Sequence, residues 1–457
     1  MNKMSSTQNF QKLTRRDLLG YAAGLALGLG GRAAAAPPVR SYLYAAEAAR
    51  LTQANMARFW DSRSKMFRAP VLSAETVPSD ALHDRGYTVW PSLIALHTLV
   101  EGEKHSPGQY APRIAEVYAG LEQYYSPDLT AYTAWVHFPG NRDAYYDDNS
   151  WAVIVLTEAA SACRRSDPAQ ADSYLSRAKA VMAGFVVKGK DEAGAPGGVR
   201  WGSDPDKPNT GDRGTSSTAG SALAALLLAQ AGVDKAFYTA WGLGLLSWLD
   251  RHLLDTDGLI MDALVPPDWK PRRIKWTYNT GVPMRAYAEH YRLTGSPDSV
   301  AKASALAQAA LRQTDALFDR SVHEVTKRFY WDSIYFVQYL ADGLLQVAGV
   351  THDPALAAKI SRTVARNTDY AYFYLRDPAD GFYWRNYRLY AIGPTQHKIW
   401  EQWTGQTIAP AYDASERSQE PKYRALAAED RPLVKTLLAN AAAARLFWLA
   451  SRLPAAK

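Results

Sequence analysis

Tyr145-Tyr146-Asp147-Asp148-Asn149-Ser150-Trp151 runs straight into Ala152-Val153-Ile154-Val155-Leu156, a polar and aromatic cluster leading an apolar helical stretch. The pattern recurs along the chain. Arg85-Gly86-Tyr87-Thr88-Val89-Trp90 leads another helical period, as do Asp212-Arg213-Gly214-Thr215-Ser216-Ser217-Thr218, Trp276-Thr277-Tyr278-Asn279-Thr280-Gly281 and Phe329-Tyr330-Trp331-Asp332-Ser333. Trp400-Glu401-Gln402-Trp403-Thr404 lies in a long loop before the last period. The apolar spacing predicts about twelve helices, over 41–66, 88–101, 109–125, 149–165, 168–186, 217–231, 234–253, 278–294, 298–318, 332–348, 353–374 and 430–452. Only Gly197 to Trp201 and Phe382 to Tyr387 look extended. Twelve helices in hairpins without a convincing sheet predict an all-α fold, an (α/α)6 barrel of about six helical hairpins in a single domain. The sequence has no fixed period, which argues against an open superhelix of repeats.

Alternate helices in such a barrel run the same way, so the clusters before the even-numbered helices converge on one mouth. The junctions agree. Ser73–Asp84, Val136–Asp143, Lys188–Thr215 and Leu254–Lys275 are long, whereas Ser166-Asp167-Pro168 and Gly295-Ser296-Pro297 are tight. Long loops over one rim and short ones over the other are how a scaffold carries a binding face.

Thr14-Arg15-Arg16-Asp17-Leu18-Leu19, the weakly apolar run to Gly30 and Arg32-Ala33-Ala34-Ala35-Ala36 read as a twin-arginine export signal over 1–35. The mature domain would then cover 36–457, in the periplasm or secreted. No later run is apolar for long enough to span a bilayer. The formal charge of +7 overstates basicity, because the signal holds five of the cations and one acid, leaving about +3. No basic run is interleaved with aromatics, so nucleic acid is not the expected partner. The single cysteine, Cys163, allows no internal disulfide and sits on an apolar helical face. His323, His352 and His397 show no ligand spacing, and neither a metal nor another cofactor is expected. Fourteen Trp and 27 Tyr point instead to stacking surfaces with hydrogen-bonding tips.

Two adjacent aspartates repel one another, so one holds its proton to higher pH than the other. A carboxylate beside a carboxylic acid, next to rings that stack on a sugar face, is the equipment of a glycosidase. The same Asp-Asp-Asn also reads as a helix N-cap. Convergence of the helix starts favours the catalytic reading. Tyr87, Trp90, Tyr146, Trp201, Trp276 and Tyr278 are candidate stacking platforms, each equally readable as core. Asn149 and Asn279 are candidate sugar hydrogen-bonders or caps, and Asp262 and Asp332 candidate holders of hydroxyl groups. Asp204 and Asp206 fit a structural turn.

The chain resembles glycoside hydrolase family 76, the bacterial and fungal α-1,6-mannanases and their transglycosylating relatives, over most of its mature length. Asp147 and Asp148 match the family's paired catalytic aspartates. Phe59-Trp60-Asp61 with Tyr87 to Trp90, Gly197-Gly198-Val199-Arg200-Trp201, Gly258-Leu259-Ile260-Met261-Asp262 and Trp276-Thr277-Tyr278-Asn279 resemble further family segments in order. Trp151-Ala152 stands where the family usually has Trp-Trp. Trp331-Asp332-Ser333 stands where many members have Phe-Lys-Gly, and 387–428 matches nothing in the pattern. The resemblance implies a retaining glycoside hydrolase on α-mannoside polysaccharide or oligosaccharide, an endo-α-1,6-mannanase. The first aspartate would be the nucleophile and the second the acid/base, about 5–5.5 Å apart. A transglycosylase on the same scaffold, another (α/α)6 enzyme such as a uronide hydrolase, epimerase or lyase, and a non-catalytic glycan-binding protein stay open as alternatives.

Overall fold

The computed structural model describes residues 41–68, 87–190, 196–418, 421–423 and 425–453. The expected export signal, Arg85 and Gly86 lie outside these residues. Six helices form a closed inner ring: α2 (Val89–His105), α4 (Tyr146–Cys163), α6 (Thr215–Gln230), α8 (Thr277–Thr294), α10 (Ile334–Ala348) and α13 (Leu437–Ala450). Each packs on the next, and α13 returns to α2. Outside them lie α1 (Ser41–Phe59), α3 (Ala111–Leu121), α5 (Pro168–Gly184), α7 (Lys235–His252), α9 (Pro297–Ala310) and α11 (Pro354–Tyr370). These pack on α13, α2, α4, α6, α8 and α10 in turn, so the (α/α)6 barrel is the observed fold.

Burial sorts the two rings. Helix α6, rich in Ala, Leu and Ser, is buried almost all round, as an inner helix must be. Outer α11 buries the stripe Leu356, Ile360, Val364 and Asn367 and leaves its other side polar. Gly281 and Gly343 let α8 and α10 touch backbone to backbone. A β-carbon on Gly343 would stand 2.2 Å from the Gly281 carbonyl oxygen. Inner-to-outer turns are short because the chain supplies caps: Asp167 accepts from the Gln170 amide and Asp353 from those of Ala355 and Leu356, each just before a proline.

Outer-to-inner connections are long and carry the small strands. Arg213–Gly214 (β5), Ala263–Val265 (β6) and Lys270–Arg272 (β7) form an antiparallel sheet in the order β5-β6-β7, on loops that lead into α6 and α8. Two-residue pairs join Trp60–Asp61 (β1) to Met66–Phe67 (β2) and Tyr125–Ser126 (β3) to Ala131–Tyr132 (β4). Helix α1 therefore stops at Phe59, short of the expected 66, where the Asp61 carboxylate accepts from the Arg63 amide at 2.9 Å and turns the chain. The expected extended runs at 197–201 and 382–387 make isolated bridges, Lys190 with Val199, Arg200 with Arg213, Arg376 with Tyr383 and Ser333 with Asn386. An unforeseen helix, α12 (Pro394–Thr404), occupies part of the unmatched C-terminal stretch. Its Trp400 is buried against Tyr390, and Trp403 packs on Phe329, Tyr370 and Tyr374. This cluster lies near the end of α11, with Trp403 against Phe329 of the segment that leads into α10.

Further along the inner helices from their N-termini, the barrel axis is filled with paired charge. Arg285 bonds Glu158 and, at 2.7 Å, Asp342; Lys104 reaches Glu158 at 2.7 Å; Arg445 reaches Asp342 at 2.5 Å; Arg452 holds Glu101. His97 lies 2.8 Å from Glu158, and burial lowers its pKa to about 4, so it is neutral near pH 7. His97, Glu101 and Glu158 are close enough to ligate a metal. Their carboxylate oxygens already take Arg and Lys donors, so a dication would have to displace a cation.

Candidate active site

Asp147 and Asp148 occupy the first turn of α4, half-buried at the open end of the ring. The N-cap position is Tyr145, whose side chain makes no capping hydrogen bond, while both aspartates stand in the first turn, where the helix dipole favours negative charge. Asp147 Oδ2 accepts from Trp201 Nε1 at 2.9 Å and Oδ1 from the Asp148 backbone N–H at 3.0 Å. Trp201 can do this because the Tyr146 amide donates to its carbonyl at 2.9 Å, pinning that loop to the start of α4. Neither aspartate forms an ion pair among the described residues.

The pair is unequal. Burial raises the Asp147 pKa, while donors from Trp201, the Asp148 amide and Ser216 act in the opposite direction. Burial raises Asp148 well above the ordinary carboxylate value, and the charges of Asp147 and Asp143 add to the rise. At neutral pH this favours an ionised Asp147 beside a protonated Asp148. Asp143 is itself held by Trp135 Nε1 at 2.9 Å and by Lys207 Nζ at 2.6 Å.

Aromatic rings from four helix starts continue the mouth. The Tyr145 and Trp201 rings lie 4.9 Å apart beside Asp147. Across the ring, Trp90 meets Tyr335 edge-on at 5.5 Å and lies 6.2 Å from Phe336, which also contacts Tyr278 at 4.5 Å and Trp276 at 5.6 Å. Trp276 in turn leans on Trp331 at 4.9 Å. Trp90, Trp201, Trp276 and Tyr278 remain partly open, as a stacking platform requires. The Tyr278 hydroxyl donates to Asp262 Oδ1 at 3.2 Å, and Arg272 Nη1 donates to Oδ2 at 3.2 Å, which leaves Asp262 half-buried at the rim. Burial raises the Asp262 pKa against these donors. Asn279 lies wholly buried at the start of α8, and its side chain joins Arg272 and Tyr278 in opposing the rise of the Asp262 pKa.

Four candidates take structural roles instead. Tyr87 is fully buried, donates to Asp61 at 2.6 Å and accepts from Ser64 at 3.0 Å, tying the β1–β2 hairpin to the start of α2. Tyr146 is stacked on Phe185 at 4.5 Å in the core. Asn149 is fully buried and clamps strand β4, accepting from the Tyr132 amide at 2.7 Å and donating to the Tyr132 carbonyl at 2.9 Å. Asp332 is 2% exposed and accepts from the Thr277 amide at 2.9 Å and hydroxyl at 3.0 Å, which fixes the start of α8. Burial pushes its pKa to about 6 against those donors. Tyr145, Phe336, Ser216, Arg272 and Asp143 join the site without having been singled out. Phe336 had a readable signal, the adjacent rings Tyr335-Phe336 one turn inside a helix start.

Comparison with known proteins bears on the fold and the family. The model of glycosyl hydrolase family 76 matches residues 44–416. The meiotically up-regulated gene 191 protein of Schizosaccharomyces pombe is 27% identical over 423 residues, covering 90% of this chain and 92% of that protein. A family-76 α-mannanase of Bacteroides thetaiotaomicron superposes with a TM-score of 0.65 at 18% identity, over 94% of this chain and 97% of its own. The α-1,6-mannanase of a Salegentibacter species gives a TM-score of 0.64 at 17% identity, over 90% and 100%. That enzyme is also known as an inactive variant with two neighbouring aspartates changed to asparagine, in complex with α-1,6-mannotriose. With the family pattern matched along most of its length and folded as the expected barrel, this chain belongs to glycosyl hydrolase family 76.

Proposed function

We propose that this glycosyl hydrolase is a retaining endo-α-1,6-mannanase, with Asp147 as nucleophile and Asp148 as acid/base. The observation that carries the reading is the adjacent, unneutralised and unequal carboxyl pair at the aromatic mouth. Asp147, its orientation fixed by Trp201 and the Asp148 amide, attacks the anomeric carbon. The glycosidic bond breaks as the Asp148 proton passes to the leaving oxygen, giving a glycosyl ester on Asp147. Asp148, now a carboxylate, takes a proton from a water that attacks the same carbon and frees Asp147. Trp201, Trp276 and Trp90 offer faces for sugar rings, and Asp262 offers a charged acceptor for hydroxyls. The mannan assignment draws on the Salegentibacter enzyme, whose inactive neighbouring-aspartate variant holds α-1,6-mannotriose. The Arg15-Arg16 segment fits export towards such a glycan.

The test is digestion of α-1,6-mannan with the purified protein, followed by chromatography of the products. Oligomannosides are expected from the wild type. Asp147→Asn and Asp148→Asn should each lower the rate by about 10³-fold or more while remaining folded. Undiminished release by both variants would overturn the assignment.

A further inference from the structure

The outer wall carries a cationic cleft that the mouth does not use. A cavity of about 210 Å³ opens between the end of α9, the turn at 325–327 and the outward side of α11. Its floor is Leu311 and Phe318, and its walls include Lys359, Arg362 and Arg366, placed by helical spacing on one side of α11. Among the described residues, no acidic one lines it. The neighbouring carboxylates are engaged elsewhere, Glu324 with Lys327 at 3.0 Å and Asp315 with Arg312 at 2.6 Å. Lys359 and Arg362 form no ion pair among the described residues.

Arg366 distinguishes the cleft from an ordinary solvated face. Its guanidinium is held in place, with Nη1 donating to the Arg328 carbonyl at 2.9 Å, Nη2 donating to the Thr326 carbonyl at 2.7 Å, and the group lying 3.9 Å over the Phe329 ring. Burial lowers its pKa to about 10, and no carboxylate acts against that. Three cations line one cavity, and an anion bound there would meet all three. The space is large enough for a compact oxyanion with part of its carrier.

We propose that this cleft is a second ligand site, separate from the mouth, that binds a phosphate group carried on a sugar or a lipid headgroup. Phosphate suits it better than a single carboxylate. It brings up to two charges against three cations, and its oxygens match the fork of a guanidinium.

The test titrates the full chain by calorimetry with inorganic phosphate, mannose 6-phosphate and mannose, and co-sediments it with phosphatidylglycerol vesicles. Phosphate and mannose 6-phosphate should bind and mannose should not. The double variant Lys359→Glu, Arg362→Glu alters two exposed side chains and should weaken phosphate binding about tenfold or more, with melting temperature and glycosidase activity unchanged. Tighter binding of mannose 6-phosphate than of phosphate would identify a phosphorylated glycan as the ligand. Vesicle binding lost in the variant would identify a lipid headgroup. Absence of phosphate binding, or equal affinity in the variant, would overturn the site whatever the outcome at Asp147 and Asp148.

Discussion

Asp147 and Glu158 sit on the same inner helix, three turns or about 16 Å apart, and burial acts on both in the same direction. Their pKa values nevertheless move oppositely. Burial raises Glu158, but Arg285, Lys104 and His97 outweigh it and hold the group well below the ordinary carboxylate value. Glu101 behaves the same way, with Lys104, Arg452 and Arg445 overcoming burial to bring it to about 2. At the mouth no cation pairs with Asp147 or Asp148, only neutral donors reach Asp147, and both pKa values rise. One barrel thus holds two kinds of buried acid. Those on the axis are paired with cations, whereas Asp147 and Asp148 have no cationic partner among the described residues, the arrangement the proposed proton transfer needs.

Breaking the axis should cost stability more than chemistry. Arg285→Met strands Glu158 and Asp342 without their shared cation, and a loss of about 3–5 kcal/mol is expected in denaturant unfolding. Activity per folded molecule should stay near wild type. A stable variant with a collapsed rate would mean that the two regions are not separate. Trp201→Phe probes the mouth from the other side. It removes the indole N–H that favours ionised Asp147, so the acid limb of the pH–rate profile should move to higher pH and the rate fall about 10- to 100-fold. An unmoved acid limb would show that the indole does not tune Asp147. The smallest effect is expected for Asp143→Asn, which removes a negative charge that raises Asp148. Asp148 would then lose its proton at lower pH, so the alkaline limb should shift down by about one unit or less.

The architecture was legible because helical period, tight Asp-Pro and Ser-Pro turns and long opposite loops are all local signals. The polar-aromatic helix starts also located the mouth, since five of them lie where inner helices begin. Side-chain destinations were less legible. Tyr87, Tyr146, Asn149 and Asp332 share their composition with true mouth residues, and they differ only in what the loops lay over them. Asn149, for example, turns to the backbone of Tyr132, a pairing that no spacing in the sequence announces. The last helix was expected from 430, but Leu433 bridges Arg417 and the Thr436 side chain caps the helix that begins at Leu437. Both partners are tertiary facts. The axial network was not legible for the same reason, because its cations and acids come from five different inner helices and Arg452 beyond the last.

The most direct test of the central claim is the configuration of the first product, followed by proton NMR while the protein cleaves an α-1,6-linked mannooligosaccharide. Two adjacent carboxyls acting as nucleophile and acid/base predict that the α-anomer of the new reducing end appears first and only later equilibrates with the β-anomer. Early appearance of the β-anomer would mean inversion, and Asp147 could not then be the nucleophile.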